Sequence, residues 1–154
     1  MLAHTAAAQG NIAVDNICGG NVEINYKSIP AATFTHPEIS SVGLSEAEAK
    51  EKSAKENFTL GVVKSFFKAN SKALAELESD GMLKLIFNKD DGKVLGEHIF
   101  GLHASDLIQE ISNAIARNQN VIELSTEVHT HPTLSEVVEV AYKQAASQIN
   151  SIHN

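Results

Sequence analysis

Apolar residues along this chain follow two different periods. They alternate with polar residues through the middle and recur every three or four positions near the end, and that contrast divides the chain into elements. Residues 1–18 read as a helix whose apolar positions are Leu2, Ala6, Ala7, Ala13 and Ile17. Gly10 weakens it by about 1 kcal/mol relative to alanine, and Gly19-Gly20-Asn21 breaks it. So alanine-rich a helix has little with which to anchor a core, and it reads as the last piece of something that precedes it. Residues 31–35 are strand-like, 36–38 a turn and 40–44 a second short strand. Ser45 then opens a helix as N-cap, with Glu48 at the third position completing a capping box and charge filling the exposed face to Lys55. Residues 58–67 predict a longer strand, and the polar run 70–73 a loop or short turn.

Residues 82–87 and 94–100 form the clearest strand pair, a hairpin whose turn needs the positive φ that Gly92 supplies. The Asp90-Asp91-Gly92 cluster between them lacks the ligand spacing and closing glutamate of a calcium loop. Leu107, Ile108, Ile111 and Ile115 mark one face of a helix, residues 121–124 a short helix or turn, and Leu134, Val137, Val138, Ala141 and Ala145 a last helix. Strands in the middle with helices at the end predict an α+β domain, a mostly antiparallel sheet of about five strands flanked by helices on one side.

Composition narrows the function. The 154 residues suffice for one domain with a real core, and 43% hydrophobic with 20% charged residues describes a globular protein. A net charge of -7 and a pI near 5.4 leave no basic stripe to neutralise phosphates, which argues against nucleic acid. No apolar run approaches the roughly 18 residues of a membrane span, and the start of the chain is no secretory signal. A single cysteine, Cys18, excludes an internal disulfide and a thiolate zinc cage, and makes a reduced, cytoplasmic setting the default. With no basic neighbour to lower its pKa, Cys18 reads as a buried, inert thiol.

Candidate chemistry concentrates in His129-Thr130-His131-Pro132-Thr133-Leu134-Ser135-Glu136. Proline pushes His131 into an extended conformation, so its imidazole projects away from the helix that follows. Thr133 is a natural N-cap with Glu136 at the third position, and local sequence favours that capping box. The sharper alternative has Glu136 accept a hydrogen bond from His131 and make it a general acid/base. A carboxylate has two oxygens, so both readings can share it. On an extended segment His129 and His131 fall on one side, but no third ligand follows from the spacing, and we expect no metal. His36 and His98 read as turn and strand histidines, and Glu76, Glu78, Asp90 and Asp91 as solvated charges. No nucleophile partners His131, and neither a dinucleotide fingerprint nor a P-loop is present. A base without a substrate site points to another surface or another chain.

The same octapeptide resembles the active-site signature of the dihydrolipoamide dehydrogenase branch of the flavin-dependent disulfide reductases. Phe67-Lys68-Ala69-Asn70-Ser71-Lys72-Ala73, Asp80-Gly81-Met82-Leu83-Lys84, Val94-Leu95-Gly96, Gly101-Leu102-His103-Ala104-Ser105-Asp106 and Pro30-Ala31-Ala32-Thr33-Phe34-Thr35-His36-Pro37-Glu38 are similar to that family too, in its order, over residues 30 to about 146. The resemblance implies that residues 26–154 are the dimerisation (interface) domain. Residues 1–25 would be the C-terminal remnant of an FAD-binding domain, cut just after its acidic flavin-binding motif, with Met1 fitting the native residue there. Leu134-Ser135, and the absence of a C-terminal cysteine pair, favour the lipoamide branch over glutathione- or mercuric-reductase-like members. The tail, residues 151–154, is not diagnostic.

By resemblance, His131 is the acid/base for a dithiol and Glu136 orients it, serving the partner subunit's disulfide and flavin. Leu2, Ala3, His131 and Pro132 are then expected beside the flavin. The implied cofactors are FAD and NAD in the full-length enzyme, with none bound to the fragment, which alone would be inactive. The implied partners are a second copy, forming a homodimer, and the lipoyl domains of 2-oxoacid dehydrogenase or glycine cleavage complexes. The alternative is a non-catalytic homodimerisation module, or the same domain of another flavin disulfide reductase.

Overall fold

The computed structural model describes residues 2–150; the readings made above of Met1 and of residues 151–154 lie outside them. The first helix, α1 (Ala3–Ile17), buries no residue and is tied to the rest through its side chains. His4 Nε2 lies 2.8 Å from the Pro30 carbonyl, and the Gln9 amide donates to the Tyr26 hydroxyl at 2.9 Å. Cys18, just past its end, is exposed, contrary to the expectation of a buried thiol: the helix buries none of its residues, and its last turn, with Ile17, is left open to solvent.

Five strands follow the alternating segments: β1 (Ala31–Thr33), β2 (Glu38–Gly43), β3 (Leu60–Phe66), β4 (Met82–Asn88) and β5 (Val94–Gly101). They form a single sheet in the order β1-β2-β5-β4-β3, every neighbouring pair antiparallel. This is the α+β architecture expected. Gly92 adopts φ 75° in the β4–β5 hairpin, a conformation cheap only for glycine. Gly96 is required for space, since a Cβ there would strike the Leu44 backbone.

Helix α2 (Glu46–Glu56) begins with both halves of the Ser45–Glu48 capping box and lies against β3, and its Glu46 reaches Lys84 on the neighbouring β4 at 3.2 Å. The polar run read as a loop or short turn winds into a short helix, α3 (Ser71–Ala75). Its cause is Asn70, whose side chain accepts from Ala73 N–H at 2.9 Å and so nucleates a turn that buries Ala73. Helix α4 (Ala104–Ala116) packs on β2 and β5, α5 (Val121–Leu124) is a single turn capped by Asn120, and α6 (Glu136–Asn150) packs on β3 and β4. Glu38, at the head of β2, accepts from Ser105 N–H at 2.8 Å and satisfies the first turn of α4; that bond holds its carboxyl below the usual range.

The core lies between the sheet and the α4/α6 pair. Val42, Leu85 and Val63 face those helices together with Ile108, Ile111, Val138 and Tyr142. On the opposite face Ile39, Phe100, Met82 and Phe66 sit in register across β2, β5, β4 and β3. Ile39, Phe100 and Phe66 stay exposed at 47%, 42% and 52%, so this row is apolar surface without a partner in a single chain.

Candidate active site

The His-Pro segment lies between α5 and α6. Its bonds are made by the carboxylate that local sequence offered to two readings, and it serves both. Glu136 Oε1 is 2.8 Å from His131 Nδ1, and Oε2 accepts from Thr133 N–H at 2.9 Å. The hydrogen bond to His131, then that to Thr133, lowers the Glu136 carboxyl below its ordinary value. The reciprocal half of the expected capping box is absent. The Thr133 hydroxyl donates instead to the Thr130 carbonyl at 2.6 Å, which tightens the bend before the helix.

His131 is 71% exposed while Glu136 is 21% exposed. The imidazole is therefore pinned through Nδ1 by a sheltered carboxylate and turns Nε2 outward. With the Glu136 carboxylate accepting, Nδ1 donates in that bond, and Nε2 has no hydrogen-bond partner among the described residues. Two hydrogen bonds from other elements hold the frame. Asn70 Nδ2 donates to the Thr133 carbonyl at 2.9 Å, and Ser65 Oγ to the Val137 carbonyl at 2.7 Å. Beside the dyad is a cleft of about 310 Å³ lined by Ser65, Phe66, Asn70, His131, Glu136 and Val140, open to solvent and shaped partly by α3.

His129 does not join His131 on one side, because the chain bends at residues 131–132 rather than continuing extended. His129 is 7% exposed and points inward, its Nε2 3.0 Å from Glu110 Oε1 on α4. No cluster of three metal-binding side chains exists among the described residues. His36 pairs with Glu78 at 3.3 Å on the surface, and His98 Nε2 meets the Leu44 carbonyl at 3.2 Å. The charges read as solvated pair locally, Glu76 with Lys72 and Asp91 with Lys93, while Asp90 accepts from Thr59 N–H. Leu2, Ala3 and Pro132 are exposed, the first two at the start of α1 and the last before α6.

Sequence reasoning missed a buried polar cluster. Glu97, on the helix-facing side of β5, is fully buried, and neither carboxyl oxygen has a hydrogen-bond partner. Burial, and then the charge on Glu110, push its carboxyl well above the usual range. Burial likewise pushes Glu110 up, against the pull of His129. Nδ1 of His129 is buried without a partner too, and the buried hydroxyl of Tyr142 on α6 faces the Glu110 carboxyl. The available signal was Glu97 itself, a charge at a core position of an alternating strand.

Residues 29–142 match the family model of the pyridine nucleotide-disulphide oxidoreductase dimerisation domain. Among relatives, the chain is 59% identical to a dihydrolipoyl dehydrogenase of Synechocystis sp., over 94% of this chain and 31% of that protein. It is 54% identical to dihydrolipoyl dehydrogenase 2, chloroplastic, of Arabidopsis thaliana, over 94% of this chain and 26% of that one. The chain thus spans between about a quarter and a third of the length of the relatives it matches. In structure it is similar to LpdA from Mycobacterium tuberculosis, with a TM-score of 0.82 and 27% identity over 93% of this chain and 30% of that one. The fold is shared with the HOCl-induced flavoprotein disulfide reductase RclA from Escherichia coli, at TM-score 0.77 and 22% identity, covering 86% of this chain and 30% of that chain.

Proposed function

Since the chain belongs to the pyridine nucleotide-disulphide oxidoreductase dimerisation-domain family, we propose that it acts as the interface domain of a dihydrolipoyl dehydrogenase and lends a partner subunit the His131–Glu136 acid/base. The observation that carries this reading is the 2.8 Å bond from a sheltered Glu136 to Nδ1 of an exposed His131. A thiol of pKa about 8.5 is mostly protonated at neutral pH, while only the thiolate attacks a disulfide. His131 Nε2 takes the proton of one substrate thiol, and Glu136 steadies the resulting imidazolium. The thiolate sulfur bonds to one sulfur of the enzyme's disulfide and the other leaves as thiolate. The second substrate thiol gives its proton to the thiolate just released and its sulfur attacks the substrate sulfur of the mixed disulfide; that bond breaks, the substrate leaves as a disulfide, and the enzyme keeps one thiol and one thiolate beside the His131 imidazolium. Both cysteines of that disulfide would stand on another domain, since this chain has one cysteine.

FAD, when bound in the full-length protein, supplies the electron path from that dithiol to NAD. The exposed Leu2 and Ala3, with Pro132 and His131, fit a place against a flavin, because none of them is covered within the chain. By this reading residues 1–25 are the remnant of the flavin domain and 26–154 the interface domain. The fragment alone, which binds no FAD or NAD, is inactive. The apolar row Ile39–Phe100–Met82–Phe66 suits burial against a second copy, and lipoyl domains deliver the substrate. The single cysteine agrees with a reduced, cytoplasmic setting, and no described helix is long and apolar enough to cross a membrane.

The test is His131→Gln in the flavoenzyme that carries this domain. Dihydrolipoamide oxidation should fall by about 10²–10⁴ while FAD content stays unchanged. Turnover near that of the parent rejects the acid/base role, and preference for glutathione disulfide over dihydrolipoamide rejects the substrate.

A further inference from the structure

Residues 125–135 connect α5 to α6 without helix or strand, yet they must hold His131 at a fixed place. Backbone bonds at either end keep that segment on α5 and α6, Asn70 holds it at the Thr133 carbonyl, and its centre is tied to α4 by His129 Nε2, 3.0 Å from Glu110 Oε1. The tie is buried, with the His129 side chain 7% and that of Glu110 30% exposed. We propose that Glu110, acting through His129, is a positioning residue for His131, so that α4 sets the place of the base two residues further along the chain. The proposal rests on the acid/base reading of His131.

Three physical points carry it. A carboxylate in so sheltered a place is a poor device for stability, because desolvation offsets most of the attraction. Its value lies in direction: a charge-assisted bond fixes the ring plane of His129 and thus the backbone beside it. The groups facing the pair are Glu97 from β5, Tyr142 from α6 and Glu127 from the segment itself, none of them cationic. His129 is accordingly the sole cation-forming partner of Glu110 among these neighbours. Lastly, His129 points in and His131 out, so the tie at His129 sets the depth of the segment just before the bend, while Asn70 and Glu136 hold it just after.

The decisive variant is the double replacement Glu110→Leu/His129→Leu, which removes the tie without stranding either partner. The readout is the His131 Nδ1 proton in the hydrogen bond to Glu136, followed by NMR exchange with water in the 154-residue chain. With positioning lost, this proton should exchange about tenfold faster or more, while the thermal midpoint stays level or rises. Glu110→Gln keeps an acceptor and loses the charge, so it should give a smaller acceleration in the same direction. Exchange within twofold of the parent in both variants would overturn the proposal. In the flavoenzyme, Glu110→Gln should lower kcat severalfold with KM little changed. An effect on KM alone counts against positioning. Failure of the acid/base reading is a separate result, active His131→Gln, and leaves the exchange measurement unaffected.

Discussion

Glu136 and Glu97 show how the same side chain acquires opposite behaviour from its surroundings. Glu136 is held below its ordinary value of 4.5 by His131 and Thr133, so its folded form is the weaker acceptor of protons. Its stabilising contribution is present above about pH 4.5 and is lost as pH falls through the lower folded value. Glu136→Gln should therefore flatten the acid limb of a pH–stability curve and, in the flavoenzyme, depress dithiol oxidation. An unchanged acid limb would show that the dyad does not persist in solution. Glu97 has the reverse sign, since burial raises its carboxyl well above 4.5. Stability is complete below that value and declines as pH rises toward the folded one. Glu97→Gln should thus lose less stability than the parent as pH rises above about 4.5 toward the raised folded value, the parent's loss running at up to about 1.4 kcal/mol per pH unit. Parallel curves for the two proteins would mean that Glu97 is not shielded as described.

At the scale of elements, the segment before α6 is held by what packs beside it. Asn70 does two tasks with one side chain, capping α3 through its oxygen and bonding the Thr133 carbonyl through its nitrogen. Asn70→Ala should cost about 1–2 kcal/mol, visible as a drop of roughly 2–4 °C per kcal/mol in thermal midpoint. Asn70→Asp keeps the cap and removes only the donor, so it should recover most of the stability while leaving the His131 segment looser. Full recovery of dithiol turnover by that variant would dismiss the Thr133 bond as functionally idle. The polarity of residues 70–73 leaves a loop or short turn open; that Asn70 caps a helix there depends on a neighbour placing Ala73 in the core.

For the whole molecule, the exposed row across β2, β5, β4 and β3 is the feature that a single chain leaves unfinished. A second copy burying it would remove phenylalanine and isoleucine surface from water at about 25 cal/mol per Å². Phe100→Lys places a charge in the middle of that row and should shift light scattering toward the monomer at a fixed concentration. If the mass is unaltered, association uses some other face. Helix α1, with no buried residue, stands at the margin of the chain's own core.

Much of this was legible in sequence. Two periods of hydrophobicity located the strands and long helices, Ser45 with Glu48 marked a helix start, and Gly92 marked the hairpin turn, because each is a short-range effect of backbone and neighbour. The spacing of His131 and Glu136 across a proline brought both into one local structure, so the dyad was present as an option. What sequence could not decide was how one carboxylate divides its two oxygens, which way His129 turns, or that Glu97 is entombed. Those depend on α3, α4 and β5 arriving at the same place from distant parts of the chain. Hydrogen bonding and desolvation act between spatial neighbours, and only the folded chain determines who they are.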